Sequence, residues 1–370
     1  MSFTDAFRSE FDRASDQLGR FNLAIFGKTG VGKSTLINAI FGDDVASTGI
    51  GEPVTKDSHL YLDRRARLGI VDTQGLEVGR DNKKLIGDLR KMLKSMHKLP
   101  IAERVHLAWY CVRPLDRRFE ESEAEFIREL DRLGLPVLLV FTQVPRNTEG
   151  HFHPDAVAMA RHIDSLDLPI VGHAHMTHAV RDRFSGQPPH GLMELLRATF
   201  RSTPEAVQGA LASAQRIDQK AKVRFAQQAV AAAAASAAGA AAVPIPFADA
   251  AILVPIQLGM MARVAHVFNI PFDRAAMLAV ASTSAATMGG RAAVTGLLKL
   301  IPGAGTLVGG AIGASIASSF TVAMGYAWIT VCERVVEGRF RTVQGVLDND
   351  AVRGAFMSEL TKRLPGSPRS

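Results

Sequence analysis

The sequence predicts an α/β unit with a doubly wound, mostly parallel sheet, followed by an all-α unit. Three observations carry this. Gly27-Lys28-Thr29-Gly30-Val31-Gly32-Lys33-Ser34 satisfies the pattern G-x-x-x-x-G-K-[ST] at every fixed position, with an apolar run before it and a helical pattern after it. From there to residue 200, short apolar or β-branched runs alternate with helical stretches, the order of a parallel sheet with helical crossovers. Beyond Thr203-Pro204 the alternation stops and Ala, Gly, Ser and Met dominate.

The loop's chemistry follows from its residues. Its glycines let consecutive backbone N–H groups curl around a phosphate chain, and the following helix adds its positive end. Lys33 can bridge β- and γ-phosphates, and Ser34 can hold Mg²⁺. This is a P-loop NTPase arrangement, and Gly27 to Ser34 with Thr35 are its candidate nucleotide contacts.

Composition narrows the class. The 370 residues, 47% hydrophobic and 21% charged, describe a folded chain of two or three domains and exclude a disordered one. The net charge of +7 permits attraction to anionic partners, but the basic residues are scattered, so no dedicated nucleic-acid module is expected. Cys111 and Cys332, far apart in apolar segments, fit a reducing compartment and exclude a disulfide framework. Asp5, Glu10 and Asp12 replace the basic start of a signal peptide, so the N-terminal half is expected in the cytoplasm.

Taken in order, residues 1–20 form an amphipathic helix with Phe3, Phe7, Phe11, Ala14 and Leu18 on one stripe, suited to docking on another part of the protein. Strands are expected over 21–26, 59–62, 67–71, 105–111, 137–141 and 169–171, and helices over 33–41, 82–96, 120–132, 154–165 and 191–200. The first unit thus spans 21–202. Ligands of such sheets sit at the carboxyl ends of the strands, which directs attention to Asp72-Thr73-Gln74-Gly75 and Thr142-Gln143-Val144-Pro145. His151, His153, His162, His173, His175 and His178 cluster late in the unit; His173 and His175 on one strand face could ligate a metal, but surface and loop positions are the expected reading.

Residues 203–345 form the helical unit, opening with one helix over 205–223, and 346–370 a charged helix and tail. Residues 300–332 are 33 without a charge, longer than the roughly 20 that span a bilayer. Gly305, Gly309 and Gly313 recur every fourth residue with Ala317 behind them, a groove that admits a partner helix. A bilayer span and a buried bundle both suit this pattern.

The run Gly-Lys-Thr-Gly-Val-Gly-Lys-Ser-Thr-Leu-Ile-Asn-Ala-Ile-Phe-Gly at residues 27–42, with Pro53-Val54-Thr55 and the Asp72 element behind it, resembles the Era-like branch of the translation-factor class of GTPases. The resemblance implies GTP/GDP and Mg²⁺ as ligands, and roles for Lys33, Thr55, Asp72 and Gly75 in catalysis. Thr55 would complete the Mg²⁺ shell with Ser34, Asp72 would hold the ion through water, and the Gly75 N–H would sense the γ-phosphate. The sequence departs from the family twice. Thr142-Gln143-Val144-Pro145 stands where the guanine-reading Asn-Lys-x-Asp belongs, without its carboxylate, and Leu76 replaces the water-orienting glutamine. Gly30 also replaces the potassium-coordinating Asn of some members. Weakened base choice and slow intrinsic turnover follow, unless an oligomer or partner supplies the missing group.

Residues 205–345, with Pro244-Ile245-Pro246 and Ile301-Pro302-Gly303-Ala304-Gly305, resemble the YcjF-like helical domain that follows Era-like domains in a set of bacterial proteins, an arrangement distantly similar to dynamin-like and immunity-related GTPases. That resemblance implies membrane association through 225–332, at the inner face of the cytoplasmic membrane. The expected function is a GTP-hydrolysing switch acting at a membrane, with a soluble regulatory GTPase or a low-activity nucleotide scaffold as alternatives.

Overall fold

A computed structural model describes residues 2–42, 51–55, 58–63, 67–72, 82–96, 98–182, 185–241, 249–284, 310–341 and 347–364. The chain divides into two compact units, Leu18–Asp218 and Met1–Gln17 with Gln219–Ser370.

In the first unit the strands are β1 (Phe21–Phe26), β2 (Gly51–Thr55), β3 (Ser58–Leu62), β4 (Leu68–Asp72), β5 (Leu107–Val112), β6 (Val137–Phe141) and β7 (His175–Met176). They form one sheet in the order β2-β3-β4-β1-β5-β6-β7. From β4 to β7 every pairing is parallel, and β3 and β2 add an antiparallel edge. Every residue of β1, β5 and β6 is buried, as expected of strands covered on both faces, and the polar Asn22 of β1 donates to Ala102 O and Arg104 O. After α1 (Phe3–Leu18), the helices of this half are α2 (Lys33–Phe41), α3 (Asn82–Met96), α4 (Glu121–Arg132), α5 (Pro154–Asp164), α6 (Leu192–Ser202) and α7 (Glu205–Ala214).

Three differences from the sequence reading have physical causes. The strand expected at 169–171 does not form: Val171 donates one hydrogen bond to Val137 O, the chain bends away, and it rejoins the sheet at His175. Strand β2 escaped notice because Gly51 and Pro53 read as a loop; it lies at the sheet edge, where proline is tolerated, and its register shifts between Pro53 and Thr55. The helix expected over 205–223 breaks at 215–218. There the buried Gln215 side chain accepts from Asp218 N at 2.7 Å and donates to Asp218 O at 2.8 Å, taking over backbone groups that a continuous helix would satisfy. The first unit therefore extends past the boundary expected at 203, with α7 packed against β1 and β4.

The second unit comprises α1, α8 (Gln219–Ala241), α9 (Asp249–Val267), α10 (Phe272–Ser284), α11 (Gly310–Val336) and α12 (Asn349–Arg363). The stripe of α1 turns inward, with Phe7, Phe11 and Ala14 buried among Met261, Phe320, Met324, Trp328 and Phe356. His266 Nε2 lies 2.8 Å from Phe11 O and its ring lies tilted against the Phe11 ring, fixing α1 by a polar contact inside an apolar cluster. Lys222, buried, donates to Val267 O at 3.0 Å, a cation on the C-terminus of α9.

Helix α11 is enclosed by α8 and α9. Gly305 and Gly309 lie outside the described residues, while Ala317 packs on Ala237 and Leu253. The tightest approach falls two turns later. A Cβ on Gly325 would sit 2.5 and 2.6 Å from the Val230 methyls and 2.9 Å from Met260 Sδ. Among the described residues no helix is long and apolar enough to cross a membrane. The bilayer span expected at 300–332 is thus not found in its described part, where Ala317, Thr321, Ala323 and Ala327 are buried.

Gly325→Leu is expected to destabilise the helical unit by about 1–3 kcal/mol through overpacking, read as a lower denaturant midpoint. Gly239→Ala, in α8 with no atom within 4 Å of the added carbon, is expected to be neutral or stabilising.

Candidate nucleotide-binding site

The loop after β1 is shaped by what lies beside it. Phe26 is in register with Tyr110 of β5, so the chain leaving β1 crosses the end of β5. At Gly27 a Cβ would stand 2.3 Å from Cys111 O, and φ is 132°, so only glycine passes. Cys111 contributes through this carbonyl; burial pushes its thiol up to about 12, leaving it unreactive. The loop then closes on itself through Val31 N, which donates to Lys28 O at 3.4 Å.

Helix α2 begins at Lys33, and its N-cap, Gly32, supplies no side-chain hydrogen bond. The first-turn N–H groups and the positive helix end therefore face the loop without a side-chain cap. Lys33 Nζ donates to Gly27 O at 2.8 Å and to Lys28 O at 3.1 Å, which holds it across the mouth of the loop. Ser34 and Thr35 follow, exposed in the first turn.

The far half of the loop is held from β6. Thr142, buried, donates its hydroxyl to Val31 O at 2.5 Å, with Val112 O at 3.3 Å as a second acceptor. Gln143 takes a positive φ of 54° and donates Nε2 to Gly30 O at 3.2 Å. Both side chains, expected at the base, are thus committed to the phosphate loop. The rest of this segment is equally tied: Val144 O accepts from His178 Nδ1 at 3.2 Å and His190 Nε2 at 2.9 Å, and Pro145 O accepts from His153 N at 3.1 Å.

Lys28 departs from its expected place. Its backbone lies in the loop, but its side chain pairs with Glu120 and Glu123 at the start of α4. Asp72 ends β4, paired with Ile25 two residues before Gly27, which brings its backbone to the strand end beside the loop. Thr55 ends β2. The side chains of Thr55 and Asp72, and Gly75 and Leu76 altogether, lie outside the described residues. The fit to a phosphate chain rests on the glycine cradle at Gly27 and the bare N-terminus of α2.

Histidines 173 and 175 do come together, with ring centroids 5.6 Å apart, beside a cavity of about 420 Å³. Burial, then the nearby His173 and Arg201, lowers the His175 pKa to about 4, so it is neutral. Among the described residues no three His, Cys, Asp or Glu side chains converge to hold a metal ion.

Residues 22–143 match the family model described as "50S ribosome-binding GTPase". The chain is similar to Cell division control protein 10 of Saccharomyces cerevisiae, 27% identical over 147 residues, covering 32% of this chain and 46% of the relative. It is also similar to GTPase Der of Nitrobacter winogradskyi, 31% identical over 160 residues, covering 40% and 31%. The chain spans less than half the length of each of these relatives. Among solved structures it is similar to Era of Aquifex aeolicus bound to GDP and AlF4-, at 18% identity and a TM-score of 0.34, covering 50% of this chain and 58% of that one. A motif complete at every fixed position, a loop shaped to admit phosphate and the family match agree: the chain carries a GTP-binding P-loop GTPase domain.

Proposed function

We propose that this chain is a GTP-driven switch with slow intrinsic hydrolysis, whose helical unit carries the output to a partner. The observation that carries the reading is the loop itself, with Lys33 poised over Gly27 O and Lys28 O and the amides of the α2 N-terminus uncapped. Arriving phosphate offers Lys33 stronger, charged acceptors than these carbonyls, so the ammonium exchanges two neutral hydrogen bonds for charge-assisted ones on the β- and γ-phosphates. Ser34, Thr55 and Asp72 would hold Mg²⁺, which supplies charge stabilisation at the transferring phosphate. Leu76 and Gly30 offer neither a water-orienting amide nor a further ligand, which supports a slow rate for the isolated chain. A second copy or a partner would complete the site.

The base pocket supports relaxed choice. No carboxylate occupies position 145 to pair with the guanine N1–H and amino group, and the side chains of Thr142 and Gln143 hold the loop. Membrane contact through 225–332 belongs to the same proposal as a peripheral attachment, since the helical unit needs no spanning helix to bind a surface.

Lys33→Ala is expected to abolish triphosphate binding, measured by titration with a fluorescent GTP analogue; normal affinity would sink the assignment. GTP is expected to outcompete ATP by one to two decades less than in GTPases that carry the carboxylate, because one charged hydrogen bond, worth about 1.5–3 kcal/mol, is missing. Competition of labelled GTP by excess ATP reads this. Sedimentation of the full chain with anionic vesicles is expected to bring it to the pellet; a chain that stays in the supernatant leaves a soluble partner-binding switch.

A further inference from the structure

Lys28 is the first of the two lysines of an eight-residue loop, and its side chain leaves the loop for the start of α4. Its Nζ lies 3.1 Å from Glu120 Oε1 and 3.2 Å from Glu123 Oε2. These carboxylates form the N-terminal cap of α4: Glu123 accepts from the Glu120 N–H at 2.9 Å, and Glu120 accepts from the backbone at Glu123. Glu123 is only 2% exposed, and its other oxygen accepts from the Tyr110 hydroxyl at 3.3 Å. Tyr110 itself is the β5 residue in register with Phe26, the residue before Gly27. Loop, strand and helix therefore meet at one buried carboxylate. Among the described residues Lys28 is its cationic partner. Partial burial disfavours the ammonium, yet the two carboxylates outweigh it and raise the Lys28 pKa.

We propose that Lys28 is a positioning residue for nucleotide binding: its ion pair with the α4 cap holds the first half of the phosphate loop in its binding curvature. The proposal rests on the reading of residues 27–34 as the triphosphate site. Lys28 is fixed twice, by its side chain on Glu123 and by its carbonyl on Lys33 Nζ, so the pair sets where Lys33 rests before phosphate arrives. Thr142 and Gln143 do the same for the second half at Val31 and Gly30. Without the pair the first half keeps its backbone contacts, Gly27 against Cys111 O and Lys28 O with Val31 N and Lys33 Nζ, but loses its side-chain tie to α4. Glu123 is then a buried carboxylate without its cation, a strongly unfavourable state that loosens the cap.

The test compares the full chain with Lys28→Met, Lys28→Arg, Glu123→Gln and the Lys28→Met/Glu123→Gln double variant. Affinity for fluorescent GDP and a non-hydrolysable GTP analogue, and the single-turnover rate at saturating GTP, are measured for each. Lys28→Met is expected to weaken both nucleotides about tenfold, with the loss in affinity exceeding that in rate, and Lys28→Arg to recover most of it. The double variant, which lacks the buried charge as well as the cation, is expected to lose affinity no more than Lys28→Met does. Wild-type affinity in a folded Lys28→Met, or in the double variant where the single one fails to fold, overturns the proposal. Nucleotide binding unchanged by Lys33→Ala overturns the site reading instead, whatever Lys28 does.

Discussion

The nucleotide site depends on one close approach, that of Gly27 to the Cys111 carbonyl. Parallel pairing brings Phe26 beside Tyr110, so the chain must cross the end of β5 the moment it leaves β1. A side chain at that crossing would overlap backbone, which cannot move without disturbing a fully buried strand. The crossing fixes where the loop starts, and the glycine N-cap of α2 fixes where it ends. Between those points side chains hold the loop's carbonyls: Thr142 and Gln143, after β6, hold Val31 O and Gly30 O, and the loop's own Lys33 holds Gly27 O and Lys28 O. The loop's shape is thus braced before any ligand arrives, and positioning is what phosphoryl transfer relies on.

This also explains the segment that departs from the guanine-reading pattern. Thr142 and Gln143 retain the task of bracing the loop, and bracing needs only a donor of modest length. Reading the base needs a carboxylate two residues further on, and Pro145 has none. The two tasks are carried by neighbouring residues and can be lost separately. A loop without its braces would weaken every phosphate contact, whereas a missing base contact costs one hydrogen bond.

Much of this was legible in the sequence where the determinants are local. The loop lies within eight consecutive residues, and β1, β6, α2 and α3 were read with the bounds they have, because apolar period and flanking residues decide them. Determinants distant in sequence were not. Lys28 and Glu123 are 95 residues apart, and nothing near either marks the pairing. The break at Gln215 carries no proline or glycine; a glutamine turned inward onto Asp218 makes it, and its burial is a tertiary fact. The last strand was misplaced because 169–171 has the apolar run, while His175 and Met176 have the pairing partner.

The helical unit illustrates why an uncharged stretch alone does not identify a membrane span. A bilayer and a tightly packed bundle both reward the absence of charge, and both reward small residues where helices touch. What separates them is the disposition of the large side chains. On α11, Phe320, Met324 and Trp328 are buried in one cluster with α1 and α9, and the Trp328 indole donates to Met261 O at 2.9 Å. Gly325 meanwhile admits Val230 of α8 where any side chain would exclude it. The bulky face is satisfied by other helices of the same unit, and the small face by the closest of them. A helix with a bulky face and a small face can therefore be covered by its own unit, so the uncharged stretch is accounted for by helix packing without any appeal to lipid.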